Sequence, residues 1–196
     1  IGEWDEPYLT MNYPYEARIA KECGEFALSG DMFLGKKPIY WCCSCQTALA
    51  EAEIEYHDHT SPSIFVKFPV KDDISKVIGE SGDAFVVIWT TTPWTLPANL
   101  GICLHPEFVY AAVKTPDQGI LIMAKDLVEN VMDQFGIEGW QIIKEFQALE
   151  LENKKCSHPF YDRDSLVILG DHVTLDAGTG CVHTAPGHGR EDYDTG

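Results

Sequence analysis

The apolar residues of this chain fall in short runs rich in β-branched and aromatic side chains, and nothing else constrains its fold as strongly. Ile64 to Val70 alternates, Ala84 to Trp89 is continuous, and further runs occupy Val109 to Val113, Gly119 to Ala124, Ser165 to Leu169 and Gly180 to His183. Runs of this length and composition predict strands, half-buried where they alternate and covered on both faces where they do not. Helical spacing is clear in two places. Residues 16 to 28 set Ile19, Cys23 and Phe26 on one face beside Ala20 and Ala27, then reach Ser29-Gly30 as a stop. Residues 125 to 135 do the same with Leu127, Val128, Val131, Met132 and Phe135, and Gly136 follows. Because strands and helices are not regularly interleaved, the expectation is an α+β fold: a mainly antiparallel, barrel-like β-sheet with a few peripheral helices, not a doubly wound one.

With 196 residues the chain can bury one good core, or one core plus an appendage. The pattern turns toward strands after Gly35-Lys36-Lys37-Pro38, so a boundary is expected near residue 40, with a lead-in segment over 1–40 and one domain over 41–196. The chain opens on Ile1 rather than methionine, which reads as a piece of something larger. Its longest apolar run is shorter than the ~18 residues that span a bilayer. No basic stretch leads into an apolar one at the start, so neither a membrane nor a secreted protein is expected. Seven cysteines, at 23, 42, 43, 45, 103, 156 and 181, are an odd number without the density of a disulfide scaffold, and suit a reducing cytoplasm. A net charge of −17 argues against broad electrostatic binding to phosphate. Any nucleic-acid contact would be local, or shared with other parts of a larger protein.

Two distant segments hold the chemistry: WTTTPWTLPAN at 89 to 99 and GTGCVHTAPGHGREDY at 178 to 193. Thr90, Thr91 and Thr92 come straight after a continuous apolar run, and Pro93 ends it because proline cannot donate to a ladder. The hydroxyls therefore stand at a strand end, where sites gather. Alternation would put Thr90 and Thr92 on one face and Thr91 on the other, so at most two of the three are expected in one pocket. A threonine run alone is more often β-propensity than chemistry. Trp94, Pro97 and Asn99 add a fixed loop with an aromatic wall and an amide, which suits an apolar group beside a polar one.

In the second segment Gly178 and Gly180 allow close backbone approach before a short strand that ends at His183, and Ala185-Pro186-Gly187 breaks it. Asp192 arrives after the flexible Gly187-His188-Gly189. Neither the spacing of a dinucleotide loop nor a phosphate-loop ending is present, so a nucleotide-binding loop is discarded. A lone histidine is more often structural than catalytic, and an aspartate near a chain end more often a solvated charge. Physics alone says that an imidazole, a carboxylate and hydroxyls can converge to hold an ester and steer a water onto it.

Long strings of the chain closely resemble the editing domain of bacterial isoleucyl-tRNA synthetases, the large insertion in their catalytic core. They are PYLT at 7–10, KKPIYWCCSC at 36–45, TALAEAEIEYHDHTSPSI at 47–64, WTTTPWTLPAN, and GDHVTLDAGTGCVHTAPGHGREDY at 170–193. They are spread from residue 7 to residue 193, so the resemblance extends over nearly the whole chain. Valyl and leucyl relatives carry an arginine after the second threonine, where Thr92 stands here, and this favours the isoleucyl branch. The resemblance implies hydrolysis of valine misattached to isoleucine tRNA. One methylene is discriminated by only about 1 to 3 kcal/mol, a limit for which isoleucyl synthetase is itself the standard illustration, so a second, smaller sieve is needed. It further implies that Asp192 binds the α-ammonium of the amino acid, that His183 lines the side-chain pocket, and that Thr90, Thr91, Thr92 and Trp94 line the loop holding the terminal adenosine and the water, with Asn99 as its amide. The partners it implies are the mischarged tRNA and the remaining domains of the parent synthetase, in the cytoplasm, and residues 1–40 resemble the core sequence leading into the insertion. The rival expectation is a non-catalytic module that keeps the fold and holds a tRNA end.

Cys42-x-x-Cys45 has the spacing of half a zinc knuckle, and a pair of plain thiols is the equal alternative. In the family a matching pair can come from beyond the insertion, so the resemblance implies a structural zinc in the full-length parent and no cofactor for editing itself. The nucleotide signatures HIGH and KMSKS do not occur, so this piece is not expected to charge tRNA.

Overall fold

The structure is a computed structural model that describes residue 2 and residues 4–196; Ile1 and Glu3, at the head of the expected lead-in, lie outside the described residues. It forms two compact units, Ile1–Lys37 and Pro38–Gly196. The first is built on helix α1 (Tyr13–Ser29), with a proline in its first turn, where a missing N–H costs nothing. Gly30 ends it at φ 84, as the Ser29-Gly30 stop predicts, and Ser29 Oγ donates to the Phe26 carbonyl at 2.9 Å. No residue of α1 is buried.

The second unit opens with an antiparallel pair, β1 (Trp41–Cys42) and β2 (Thr47–Ala48). There follow β3 (Ile64–Pro69), α2 (Ser75–Ile78), β4 (Ala84–Thr90), a 3-10 turn at Pro93–Ala98, β5 (Gly101–Leu104), β6 (Val109–Lys114), β7 (Ile120–Ala124), α3 (Val128–Phe135), β8 (Gln141–Gln147), β9 (Lys155–Ser157), β10 (Asp164–Leu169), β11 (Cys181–Thr184) and α4 (Arg190–Thr195). All six sequence-predicted strands are present. The short β5 and the edge strand β8 escape sequence reading because one has only four residues and the other mixes exposed polar positions among its apolar ones. Among the described residues no helix is long and apolar enough to cross a membrane.

The barrel expectation is corrected. The larger strands form two open sheets, one of five in the order β3-β4-β7-β6-β8 and one of four in the order β11-β5-β10-β9. Both are mixed, since β4 pairs with β7 in parallel and so does β5 with β10. Sequence reasoning tied parallel pairs to interleaved helices, whereas here the crossovers consist largely of other strands: β5 and β6 lie between β4 and β7. The end strands β3 and β8 do not pair with each other, and neither do β11 and β9, so neither sheet closes. The sheets meet instead where β11 packs on β4 and through an antiparallel bridge between Val70 and Cys156.

The core lies at this junction. Val86 and Ile88 of β4, Ile122 and Met123 of β7, and Met132 of α3 are fully buried. Burying each such side chain is worth roughly 1.5–3 kcal/mol. Tyr110 on β6 is also fully buried, accepts from the His105 N–H at 2.9 Å and donates to the Gly180 carbonyl at 2.6 Å. Gly180 has φ 69, and a Cβ there would stand 2.4 Å from Ala124 Cβ. Gly180→Ala is therefore expected to lower stability by about 2–4 kcal/mol, combining left-handed strain with overpacking. Gly136→Ala, at φ 63 but with open space around it, is the control, expected to cost about 1 kcal/mol. Thermal midpoints of the two variants check this, and equal losses would refute the packing contribution.

Candidate functional site

The last residue of β4 is Thr90, and the chain then bends before the 3-10 turn begins at Pro93. Strand alternation does not survive that bend. Thr90 Oγ1 accepts from the Thr92 N–H at 3.1 Å and stands 3.3 Å from Thr92 Oγ1, while Thr91 is exposed with its carbonyl taking a hydrogen bond from Ser61 Oγ. All three threonines border one cavity, where alternation allowed two. In a 3-10 turn, side chains three apart eclipse, and Thr95 accordingly lies over Thr92 with its oxygen 3.5 Å away.

The turn is clamped at three consecutive residues. His183 Nε2 is 2.8 Å from Thr95 Oγ1, His158 Nε2 is 2.9 Å from the Leu96 carbonyl, and Arg163 donates to the Pro97 carbonyl at 2.5 Å. His158 is itself fixed, since its Nδ1 accepts from the Phe160 and Tyr161 N–H groups. The turn that carries Thr95 is thus held by His183 of β11 and by His158 and Arg163 of the segment between β9 and β10.

Strand β11 delivers His183, which pairs with Ile102 of β5 and is 7% exposed. The chain then turns through Pro186 and Gly187 into α4, where Asp192 is half-buried. Its Oδ2 accepts from the Ala185 N–H at 2.8 Å, so Asp192 is not the plain solvated charge that a near-terminal aspartate suggests. The cavity measures about 590 Å³ and is bordered by Thr90, Thr91, Thr92, Trp94, His183 and Asp192. Two segments some ninety residues apart (89–99 and 178–193) therefore share one space.

Asn99 does not border the cavity. It is fully buried, and its amide nitrogen reaches His183 Nδ1 at 2.9 Å from behind. Trp94 is 59% exposed and meets the His59 ring edge-on, which makes it a lip rather than a buried wall. Cys42 ends β1 and Cys45 lies within the turn to β2, and neither borders the cavity. The Cys45 N–H donates to Cys42 Sγ at 3.3 Å, and this bond chiefly lowers the Cys42 thiol pKa. A backbone N–H aimed at sulfur in this way suits a thiolate half-site. Among the described residues no three His, Cys, Asp or Glu side chains converge as a metal would need.

Sequence reasoning missed Thr95, His172, Thr179 and His188, which also border the cavity, and Ser165 behind Asn99. Thr95 had a signal, the three-residue step from Thr92 across a proline-led turn. The others had none. Cys181 is on the border too, but burial raises its thiol pKa far above the ordinary range, so it is no thiolate nucleophile.

Burial also lowers the His183 pKa, with His188 and His158 acting the same way and Asp192 opposing them. The unfolded imidazole binds its proton near pH 6.5, the folded one at lower pH. Between those values the unfolded chain holds more protons, so stability is complete above about 6.5 and falls as pH drops toward the folded value. Thermal midpoints are therefore expected to decline from pH 7.5 to pH 5 more steeply in this chain than in a His183→Gln variant. Parallel curves would show that His183 is not the group responsible.

The sequence pattern of the family described as tRNA synthetases class I (I, L, M and V) matches residues 1–159. The chain belongs to the class I tRNA synthetases. This synthetase segment is 58% identical over 198 aligned residues to the isoleucine–tRNA ligase of Desulfotalea psychrophila and 57% identical to that of Syntrophotalea carbinolica, spanning all of itself and 21% of each relative. Its fold is that of the cytosolic leucyl-tRNA synthetase editing domains of P. knowlesi and P. falciparum. They superpose with TM-scores of 0.56 and 0.54 at 13% and 10% identity, covering 67% of the segment and 59% and 63% of those chains. By sequence the likeness runs to isoleucine–tRNA ligases and by fold to editing domains, as the motif strings imply.

Proposed function

We propose that this synthetase segment is a post-transfer editing domain that hydrolyses the ester of valine misattached to isoleucine tRNA. The observation that carries the reading is the meeting of the threonine row, His183 and Asp192 around one cavity. Asp192 receives the α-ammonium of the amino acid. With one oxygen already held by the Ala185 N–H, the carboxylate is oriented before the substrate arrives, and a charge-assisted bond in a partly dry site is strong. His183 bounds the side-chain space and admits valine but not isoleucine. Thr90, Thr91, Thr92 and Trp94 hold the terminal adenosine and the attacking water.

The water attacks the ester carbonyl, the tetrahedral oxyanion is stabilised by fixed hydroxyl dipoles, and the bond to the ribose oxygen breaks as that oxygen takes a proton. An ester is already activated, so modest base assistance is enough. The partners are mischarged isoleucine tRNA and the other domains of a parent synthetase, in which Cys42 and Cys45 would contribute two thiolates to a structural zinc completed from outside this chain.

The test is deacylation of valyl- and isoleucyl-tRNA carrying the isoleucine anticodon, by this chain and by the full-length parent. Hydrolysis of the valyl ester in clear preference to the isoleucyl ester is expected. Binding of the tRNA end without hydrolysis by either protein would replace the enzyme with a non-catalytic binding module.

A further inference from the structure

Behind the cavity wall, four side chains form a hydrogen-bond chain whose polarity is fixed at one end. The buried Asn99 amide lies 2.7 Å from the Gly101 carbonyl, which can only accept, so the amide's NH2 faces that carbonyl. Its oxygen therefore faces Ser165 Oγ, which donates to it. The second hydrogen of the same NH2 points to His183 Nδ1 at 2.9 Å. Nδ1 must then be an acceptor, and a neutral imidazole has one acceptor and one donor nitrogen. The proton belongs on Nε2, which donates to Thr95 Oγ1 at 2.8 Å, and the Thr95 hydroxyl passes its own hydrogen to the Thr92 carbonyl at 2.8 Å.

We infer that Asn99, its amide set in sense by the Gly101 carbonyl and held at its oxygen by Ser165, is a positioning residue that locks His183 in the neutral tautomer with its hydrogen on Nε2. His183 is thereby a fixed wall and donor of the cavity, not the base that takes a proton from water. Every link has one sense only. Ser165 is fully buried on β10 and Asn99 sits immediately ahead of β5, the strand paired with both β10 and β11, so the chain is braced by the sheet itself. Protonating Nδ1 would set two donors face to face at a buried position. Among the described residues, Asp192 favours the imidazolium, while burial, His188 and His158 oppose it.

The editing role assigned to His183 rests on the proposed function, but the tautomer does not, so the two are tested apart. Long-range nitrogen–proton NMR on the full chain, labelled at histidine, should show His183 neutral with its proton on Nε2 at pH 7. A proton on Nδ1, or an imidazolium at that pH, would overturn the lock. Asn99→Asp replaces the donor facing Nδ1 with an acceptor, and should raise the His183 proton affinity by at least about tenfold. Ser165→Ala should leave the proton on Nε2, because the Gly101 carbonyl still sets the sense of the Asn99 amide. A shift of that proton to Nδ1 in Ser165→Ala would overturn the Gly101 carbonyl as the fixed end of the chain. The spectrum of the unaltered chain decides the lock even if a variant does not fold, and absence of any deacylation would count against the proposed function alone.

Discussion

Asp192→Asn is expected to leave the fold in place and remove most of the deacylation activity. The asparagine oxygen can still accept the Ala185 N–H that holds the turn into α4, so the geometry of the cavity mouth survives. What disappears is the charge that meets an ammonium. Removing one partner of a desolvated charged pair costs about 2–4 kcal/mol, or roughly thirty- to a thousand-fold in kcat/KM. Asp192→Ala is a poorer probe, because it also frees a backbone donor and loosens the loop, mixing a binding loss with a structural one. The measurement is single-turnover hydrolysis of valyl-tRNA by each variant beside its thermal midpoint. If Asp192→Asn hydrolysed at the rate of the unaltered chain, the ammonium anchor would have to lie elsewhere in the cavity.

His183→Ala should do the opposite to selectivity. Removing the imidazole opens space at a rigid wall, since the ring is held from behind by Asn99 and in front by Thr95 and has no freedom to move aside for a larger side chain. A branched chain one methylene longer than valine would then fit. Its rejection is worth about 1–3 kcal/mol per methylene, so hydrolysis of isoleucyl-tRNA should rise by roughly ten- to a hundred-fold relative to valyl-tRNA. Valyl hydrolysis itself should persist, because His183 already carries its proton toward Thr95 and is no base. Loss of valyl hydrolysis together with continued rejection of isoleucine would overturn both the wall and the tautomer assignments.

The division between what sequence and structure each supplied follows particular residues. The continuous run Ala84 to Trp89 needs no context to be read as a buried strand, and the threonines after it must then sit at a strand end. The barrel expectation failed because pairing partners are set by long-range packing. Nothing local in Ala84 to Val86 says that it will lie parallel to Ile120 to Ile122. The row of threonines was misjudged at Thr91 for a related reason: alternation holds only while the backbone stays extended, and the bend before Pro93 brings all three to the cavity.

By itself the sequence determined the chemical inventory and, through long specific strings, the family, because those depend on residue identity and order. Only the tertiary structure decided that Asn99 stands behind His183 rather than in the cavity, that the Gly101 carbonyl fixes the sense of the Asn99 amide, and that Asp192 is anchored by a backbone donor. Each of these is a contact between segments distant in sequence or an orientation within a buried network. Hydrogen-bond direction is a property of the whole chain of partners, and one dimension does not contain it.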